Sequence, residues 1–266
     1  MALHSCIGVD PNPNYFKGFL KQEFVTLGAK KFLIQFSKSI IDAAKKTSSK
    51  IKFQSAFFER FGAHGFEALE VASKYANQEG VFTILDAKRS DIGSTMDAYL
   101  DSAFKVLNVD AMTVVPWMGL DYFINVMPMY PEKQIIIVGL SSNLDAAPIQ
   151  LAKVDDRPAL DHIVDTIYCS DISEQVGYVI GLTSLDKLDK IQLDLLKGTR
   201  ILMPGVGFQG GKISKKLLEF SQHADIMLSA SRSLTLVGVE DAEIGDWSAY
   251  SAWVTQNTIS GLKGTG

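Results

Sequence analysis

The feature that most constrains the fold is an eightfold alternation of short apolar runs with longer segments of helical spacing. Each run is β-branched or otherwise apolar, and each is short enough to be buried on both faces, as strands of a parallel sheet are. The eight candidate strands are Ser5–Val9, Ile51–Gln54, Val81–Leu85, Ala111–Val115, Ile135–Val138, Gly177–Ile180, Ile201–Met203 and Asp225–Leu228.

The segments between these runs predict helices. In Ala29–Lys46, for example, Phe32, Phe36 and Ile40 recur at helical spacing. The whole pattern predicts an α/β fold, a single (β/α)8 TIM barrel that forms one domain over residues 1–266. A doubly wound open sheet is the alternative. The other predicted helices are Ala63–Ala76, Thr95–Leu107, Leu120–Val126, Leu160–Tyr168, Ser184–Leu196, Lys212–Phe220 and Trp247–Asn257.

Composition narrows the class of protein. The 266 residues include 26 Lys and Arg against 30 Asp and Glu, a net charge of −4 that argues against a nucleic-acid partner. No apolar run approaches the length of a membrane span, and the first residues lack the pattern of a signal peptide. Only two cysteines occur, Cys6 and Cys169, and we interpret both as thiols. We therefore expect a cytoplasmic protein that binds a small molecule.

Charged residues follow the third candidate strand, where a barrel of this type places its chemistry. Asp86, Lys88 and Asp91 form an Asp-x-Lys-x-x-Asp run, and Lys52 comes from the neighbouring strand. In extended geometry Asp86 and Lys88 project to the same side. The four residues predict an array in which carboxylates keep each lysine protonated. Such a run in isolation is more often a solvated loop, but this one directly follows a buried strand.

A glycine-rich segment follows the seventh candidate strand. Pro204–Gly211 places four glycines around Gln209, so its backbone N–H groups can surround an anion. Arg232 follows the eighth strand and offers a bidentate fork for phosphate oxygens. The loops after strands 7 and 8 are the usual phosphate site of such barrels. A tight turn with a surface arginine is the plainer interpretation.

Other chemistries have weaker support. The four histidines, His4, His64, His162 and His223, lack metal-ligand spacing, so we expect no metal site. No Gly-x-Ser-x-Gly motif marks a nucleophilic serine, although composition alone permits a Ser/His/Asp triad.

Five segments in order resemble the orotidine 5'-monophosphate decarboxylases, in the longer branch with motifs like DAKRGDIGST. Here that stretch reads Asp86-Ala-Lys-Arg-Ser-Asp-Ile-Gly-Ser-Thr95, and the resemblance spans about residues 5 to 235. The other four segments are Cys6–Pro13, Lys52–Glu59, Asp110–Pro116 and Met203–Gly211.

The resemblance implies a cofactor-free decarboxylation of orotidine 5'-monophosphate to uridine 5'-monophosphate. Lys88 would donate a proton to C6 of the pyrimidine, and Asp86 would face the substrate carboxylate. It also implies a homodimer with shared active sites. The remaining implied roles are ribose binding by Asp10 and Lys52, pyrimidine contact by Ser142, phosphate binding by Gln209, Gly210 and Arg232, and contact with the partner subunit's site by Asp91, Ile92 and Thr95.

The chain departs from the family pattern in three places. Val115 stands where many members carry Asn, Ser141–Asp145 replaces Thr-Ser-Asn-Pro-Gly, and Ser231 replaces a frequent Gly. Two alternatives stay open. One is a relative on the same barrel that resembles 3-keto-L-gulonate 6-phosphate decarboxylase and uses magnesium. The other is a catalytically silent protein that binds nucleotide phosphates.

Overall fold

A computed structural model describes residues 3–205 and 213–263 of the chain. Eight strands form a closed barrel in the order β1-β10-β9-β8-β5-β4-β3-β2, so the barrel prediction is confirmed and the open sheet is wrong. Six neighbouring strand pairs are parallel, namely β1/β2, β2/β3, β4/β5, β5/β8, β8/β9 and β9/β10. The barrel strands are β1 (Leu3–Val9), β2 (Lys50–Gln54), β3 (Thr83–Arg89), β4 (Ala111–Val114), β5 (Gln134–Leu140), β8 (Val176–Ile180), β9 (Arg200–Pro204) and β10 (Asp225–Ala230); β6 (Lys153–Val154) and β7 (Arg157–Pro158) form a separate antiparallel pair.

Helices lie between the strands, as predicted. They are α1 (Gly18–Lys46), α2 (Ser55–Glu59), α3 (Ala63–Gln78), α4 (Gly93–Asp101), α5 (Asp121–Val126), α6 (Ala147–Gln150), α7 (Ala159–Tyr168), α8 (Lys190–Leu195), α9 (Lys215–Ser221), α10 (Arg232–Thr235) and α11 (Trp247–Lys263). A π-helical segment, Ser102–Val106, follows α4, and short 3-10 helices cover Pro13–Tyr15, Pro116–Met118, Met127–Met129, Leu144–Ala146, Ser173–Gln175 and Leu182–Lys187.

Two of the differences from the predicted helices have local causes. Helix α1 begins at Gly18, eleven residues before the predicted start, but Gly28 inside it has φ 70° and ψ 167° and interrupts the helical backbone. The predicted helix Ser184–Leu196 is two pieces, because Asp189 starts a new helix. Its carboxylate accepts a hydrogen bond from the Gln192 N–H, and the Gln192 side chain accepts one from the Asp189 N–H.

The described residues divide into two compact units. The first comprises Met1–His4, Lys88–Asp101 and Asp110–Ser229, and the second comprises Ser5–Ala87, Ser102–Val109 and Ala230–Gly266. The core of the first unit contains β5 and β8, whose side chains are buried except at Gln134. The assignment of residues 1–266 to one domain stays a prediction.

Aromatic side chains fill the core of the second unit, where α1 packs against α3 and α11. The ring of Phe32 lies 4.7 Å from that of Phe16 and 5.6 Å from that of Trp247, and Phe36 stacks on Tyr250 at 5.8 Å. Close aromatic pairs of this kind stabilise a core beyond the burial of their area. Helix α1 also contacts β2, the strand that carries Lys52.

Candidate active site

A buried lysine between two carboxylates is the centre of the candidate site in the second unit. Lys52 lies in the middle of β2, where its side chain is 7% exposed. Its Nζ lies 3.1 Å from Asp86 Oδ2 and 3.8 Å from Asp10 Oδ1. The parallel register of β1, β2 and β3 brings the three residues together, because Lys52 is paired with Gly8 on one side and Ile84 on the other.

The neighbours of Lys52 determine the direction in which its pKa is shifted. Burial lowers the pKa of Lys52, but the carboxylates of Asp86 and Asp10 outweigh burial, so the pKa lies well above its ordinary value. The lysine is therefore a fixed positive charge at neutral pH. Gln54, two residues further along β2, donates a second hydrogen bond to Asp86 Oδ2 at 3.1 Å.

Asp10 has unused hydrogen-bonding capacity. Its Oδ1 is buried, and within the described part of the chain this atom has no hydrogen-bond partner. Buried polar atoms are nearly always hydrogen-bonded, so an orphaned carboxylate oxygen at a cavity wall marks a place for a ligand donor. Asp10 borders a cavity of about 190 Å³, together with Asn12, Tyr15, Phe57 and Arg232.

Arg232 enters this cavity from the start of α10. Its Nη1 donates to the Tyr15 hydroxyl at 3.2 Å, and its Cζ lies 5.5 Å from the centre of the Tyr15 ring. At the same cavity, Arg60 Nη1 donates to Asn12 Oδ1 at 3.0 Å. A guanidinium and an orphaned carboxylate oxygen therefore line one cavity, which suits a ligand that carries both an anionic group and hydroxyl donors.

Ser231, one of the departures from the family pattern, is accommodated by a glycine. A Cβ on Gly8 of β1 would lie only 2.6 Å from Ser231 Cβ and 3.3 Å from Asp10 Oδ1. The missing side chain at Gly8 thus makes room for the residue that immediately precedes Arg232.

Lys88 lies on β3 but not in the extended conformation that the sequence analysis assumed. Its φ is +48°, in the left-handed region, so the prediction that Asp86 and Lys88 share extended geometry is wrong at Lys88. The Lys88 N–H donates to the Thr113 hydroxyl, 25 residues further along the chain, at 2.9 Å. Lys88 belongs to the first unit, and Asp86 to the second.

The remaining predicted residues of the first unit flank α4 and β5. The Asp91 carboxylate accepts a hydrogen bond from the Ile92 N–H at 2.9 Å, the Ile92 side chain is 63% exposed, and Thr95 is exposed in the first turn of α4. Ser142 follows β5, and its carbonyl accepts a hydrogen bond from Thr183 Oγ1. Gln209 and Gly210 lie outside the described residues.

Several residues at these places were missed by the sequence analysis. Gln54, Tyr15 and Thr113 each lie within or beside a quoted segment, but neither spacing nor charge distinguished them.

The thiol state predicted for Cys6 and Cys169 is confirmed. Over residues 3–205 and 213–263, no helix is long and apolar enough to cross a membrane, and no group of three or more His, Cys, Asp or Glu side chains is arranged to hold a metal ion.

Comparisons with known proteins place this chain among decarboxylases. A model of the orotidine 5'-phosphate decarboxylase / HUMPS family matches residues 18–217. The orotidine 5'-phosphate decarboxylase of Christiangramia forsetii is 31% identical over 260 residues, which cover 96% of this chain and 92% of that protein.

Solved structures agree with this comparison. The OMP decarboxylase of Leishmania donovani has a TM-score of 0.71 at 26% identity and covers 97% of this chain and 92% of its own. The UMP synthase of the same organism has a TM-score of 0.75 at 28% identity; the match covers 96% of this chain and 53% of the synthase, so this chain spans about half of that protein. The chain belongs to the orotidine 5'-phosphate decarboxylase / HUMPS family.

Proposed function

We propose that Lys52, Asp86, Lys88 and Asp91 carry the reaction of this carbon–carbon lyase, the decarboxylation of orotidine 5'-monophosphate to uridine 5'-monophosphate and carbon dioxide. This is the last step of de novo pyrimidine nucleotide biosynthesis. Curated relatives of the chain bear the name of that activity. The observation that supports the residue assignment best is the buried Asp10–Lys52–Asp86 array beside a cavity that contains Arg232.

The chemistry requires a fixed cation and a proton. When the bond between C6 and the carboxylate breaks, carbon dioxide leaves and its electron pair stays on C6. In our proposal the Lys88 ammonium stabilises this charge and transfers its proton to C6, and it is reprotonated from solvent after turnover. Asp86 faces the substrate carboxylate, while Lys52 balances the charge of Asp86 throughout the reaction.

The other groups hold the nucleotide. Asp10 and Lys52 bind the ribose hydroxyls, which supply the donor that Asp10 Oδ1 lacks. Arg232 binds the 5'-phosphate with Gln209 and Gly210, and Ser142 contacts the pyrimidine. Binding energy from the phosphate can then position the ring for a reaction at C6.

The test is an assay that follows the loss of orotidine absorbance in buffer containing a chelator. We expect turnover of orotidine 5'-monophosphate without any added cofactor. Turnover only after addition of Mg²⁺, or turnover of a keto sugar phosphate in place of the nucleotide, would refute the cofactor-free assignment. Binding of uridine 5'-monophosphate without turnover would favour a catalytically silent protein.

We also propose a homodimer in the cytoplasm, in which Asp91, Ile92 and Thr95 reach the partner subunit's active site. The Ile92 side chain is 63% exposed, so it is accessible to a second subunit as this proposal requires. Mixing inactive Lys88→Ala and Asp91→Ala chains would then create hybrid dimers with one intact site. We expect about a quarter of wild-type activity from an equal mixture; no recovery would contradict shared sites.

A further inference from the structure

Lys88 has a backbone conformation that is unusual for its place in the fold. Among the described non-glycine residues, five have positive φ: Ser48, Lys88, Asn108, Asp155 and Asp156. Four of them lie in turns or loops, and only Lys88 lies within a strand, β3. The left-handed region is unfavourable for a residue with a Cβ, so the surrounding structure must hold this conformation.

Two hydrogen bonds to the neighbouring chain segment hold it. The Lys88 N–H donates to Thr113 Oγ1 at 2.9 Å, and the carbonyl of the next residue, Arg89, accepts from the Val115 N–H at 2.9 Å. The first bond has a side-chain hydroxyl as its acceptor, in contrast to the backbone carbonyl of the second. Thr113 is fully buried in β4, and a β-branched residue has few χ1 rotamers, so this hydroxyl is a rigid acceptor.

The backbone conformation of Lys88 determines the direction in which its side chain leaves the strand. In ideal extended geometry, residues two apart project to the same face. A left-handed residue departs from that geometry, so a change of backbone conformation at Lys88 would redirect its side chain, and a misplacement of about 1 Å can cost about 10²-fold in rate. Because Thr113 is fully buried and its hydroxyl accepts from the Lys88 N–H, it can act on the ammonium through the backbone.

We infer that Thr113 is a positioning residue, whose hydroxyl fixes the left-handed conformation of Lys88 and thereby aims its ammonium at the reacting carbon. This inference rests on the proposed role of Lys88 as proton donor. It assigns Thr113 a part in turnover and none in nucleotide binding, so its effect should appear in kcat and not in the Kd for the nucleotide.

The experiment compares Thr113→Val, which keeps the shape but removes the hydroxyl, with Thr113→Ser, which keeps the hydroxyl. For Thr113→Val we expect kcat to fall at least tenfold, while the Kd for uridine 5'-monophosphate changes less than threefold. Thr113→Ser should restore kcat to within threefold of wild type. The control is Thr258→Val, because the buried Thr258 hydroxyl donates to Val254 O within its own helix, α11, and its loss should leave kcat within twofold of wild type.

Three outcomes would overturn the inference: kcat within twofold of wild type in Thr113→Val, equal losses in the Val and Ser variants, or a parallel loss of nucleotide binding. If Thr113→Val does not fold, Thr113→Cys takes its place, because a thiol is a poor acceptor; kcat equal to that of Thr113→Ser would then refute the inference. Lys88→Ala is assayed alongside. Full activity in that variant would refute the proposed function itself, whatever Thr113 does.

Discussion

The two lysines that we propose for the reaction differ in how the structure constrains them. Lys52 lies in the middle of a strand and is held through its side chain, by carboxylates 3.1 and 3.8 Å from its Nζ. Lys88 is held through its backbone, in a left-handed conformation bonded to Thr113. The difference suggests different tasks. A charge that must stay constant is stabilised by its ion pairs, whereas a proton donor also needs a fixed direction, which its backbone conformation helps to set.

The largest expected effect is on turnover, and it comes from replacing Lys88. Lys88→Ala removes the proposed donor, and general acid catalysis together with charge stabilisation accounts for about 10³-fold or more in rate. We expect kcat to fall by at least that factor while uridine 5'-monophosphate still binds. Steady-state kinetics and calorimetric titration measure the two quantities. Near-normal turnover would remove Lys88 from the mechanism.

Lys52→Met should instead act on stability. It leaves Asp10 and Asp86 close together without a cation, and breaking a buried ion pair from one side costs about 3–5 kcal/mol. Urea unfolding measures this change in the free energy of unfolding. The matched control is Lys30→Met, which removes a solvent-exposed pair with Glu67 and should change the free energy of unfolding far less. Equal effects of the two substitutions would contradict the account.

The raised pKa of Lys52 also gives this stabilisation a pH dependence. Because the pKa is higher in the folded state than the ordinary value of about 10.4, the stabilisation is complete below that pH and is lost as pH rises toward the folded value. The stability difference between wild type and Lys52→Met should therefore be constant from about pH 6 to 9 and shrink above about pH 10.5. A difference that already disappears near neutral pH would show that Lys52 is not held by its carboxylates.

Arg232→Ala tests the cavity that lies beside the Lys52 array. The substitution removes a charge-assisted, partly buried phosphate contact. It should lower kcat/KM for orotidine 5'-monophosphate by a factor that corresponds to about 2–4 kcal/mol of transition-state stabilisation. The control is orotidine without its phosphate, for which the substitution should make little difference. A similar loss with both substrates would place the phosphate elsewhere.

The smallest expected effect concerns Tyr15. Tyr15→Phe removes the hydroxyl that accepts a hydrogen bond from Arg232 but keeps the ring beneath the guanidinium. It should lower kcat/KM by a factor that corresponds to about 1 kcal/mol of transition-state stabilisation. Tyr15→Leu also removes the ring and should cost about 0.5–1 kcal/mol more. If kcat/KM of the double variant Tyr15→Phe/Arg232→Ala equals that of Arg232→Ala, Tyr15 acts through Arg232. Additive losses in kcat/KM would mean that Tyr15 acts separately.

Much of the fold was predictable because strands buried on both faces leave a strong apolar pattern. All eight barrel strands are present, and the grouping of Asp10, Lys52 and Asp86 follows from the adjacency of β1, β2 and β3. The first segment of α1 escaped prediction because Gly28 interrupts its periodicity.

The site was less predictable where it depends on backbone conformation or on pairing between distant segments. The left-handed φ of Lys88 has no signature in the neighbouring sequence, and the hydroxyl that its N–H contacts lies 25 residues further along the chain. The contact of Tyr15 with Arg232 joins residues 217 positions apart. The roles of all the predicted site residues stay predictions: Asp10, Lys52, Asp86, Lys88, Asp91, Ile92, Thr95, Ser142, Gln209, Gly210 and Arg232.

The central claim is that the carboxylate–lysine array and Lys88 act on one pyrimidine nucleotide, and a crystal structure with bound uridine 5'-monophosphate tests it most directly. The account predicts a ribose hydroxyl within about 3.2 Å of Asp10 Oδ1, and Lys88 Nζ within about 3.5 Å of C6. A nucleotide bound with its C6 out of reach of Lys88, or with its ribose away from Asp10, would contradict it.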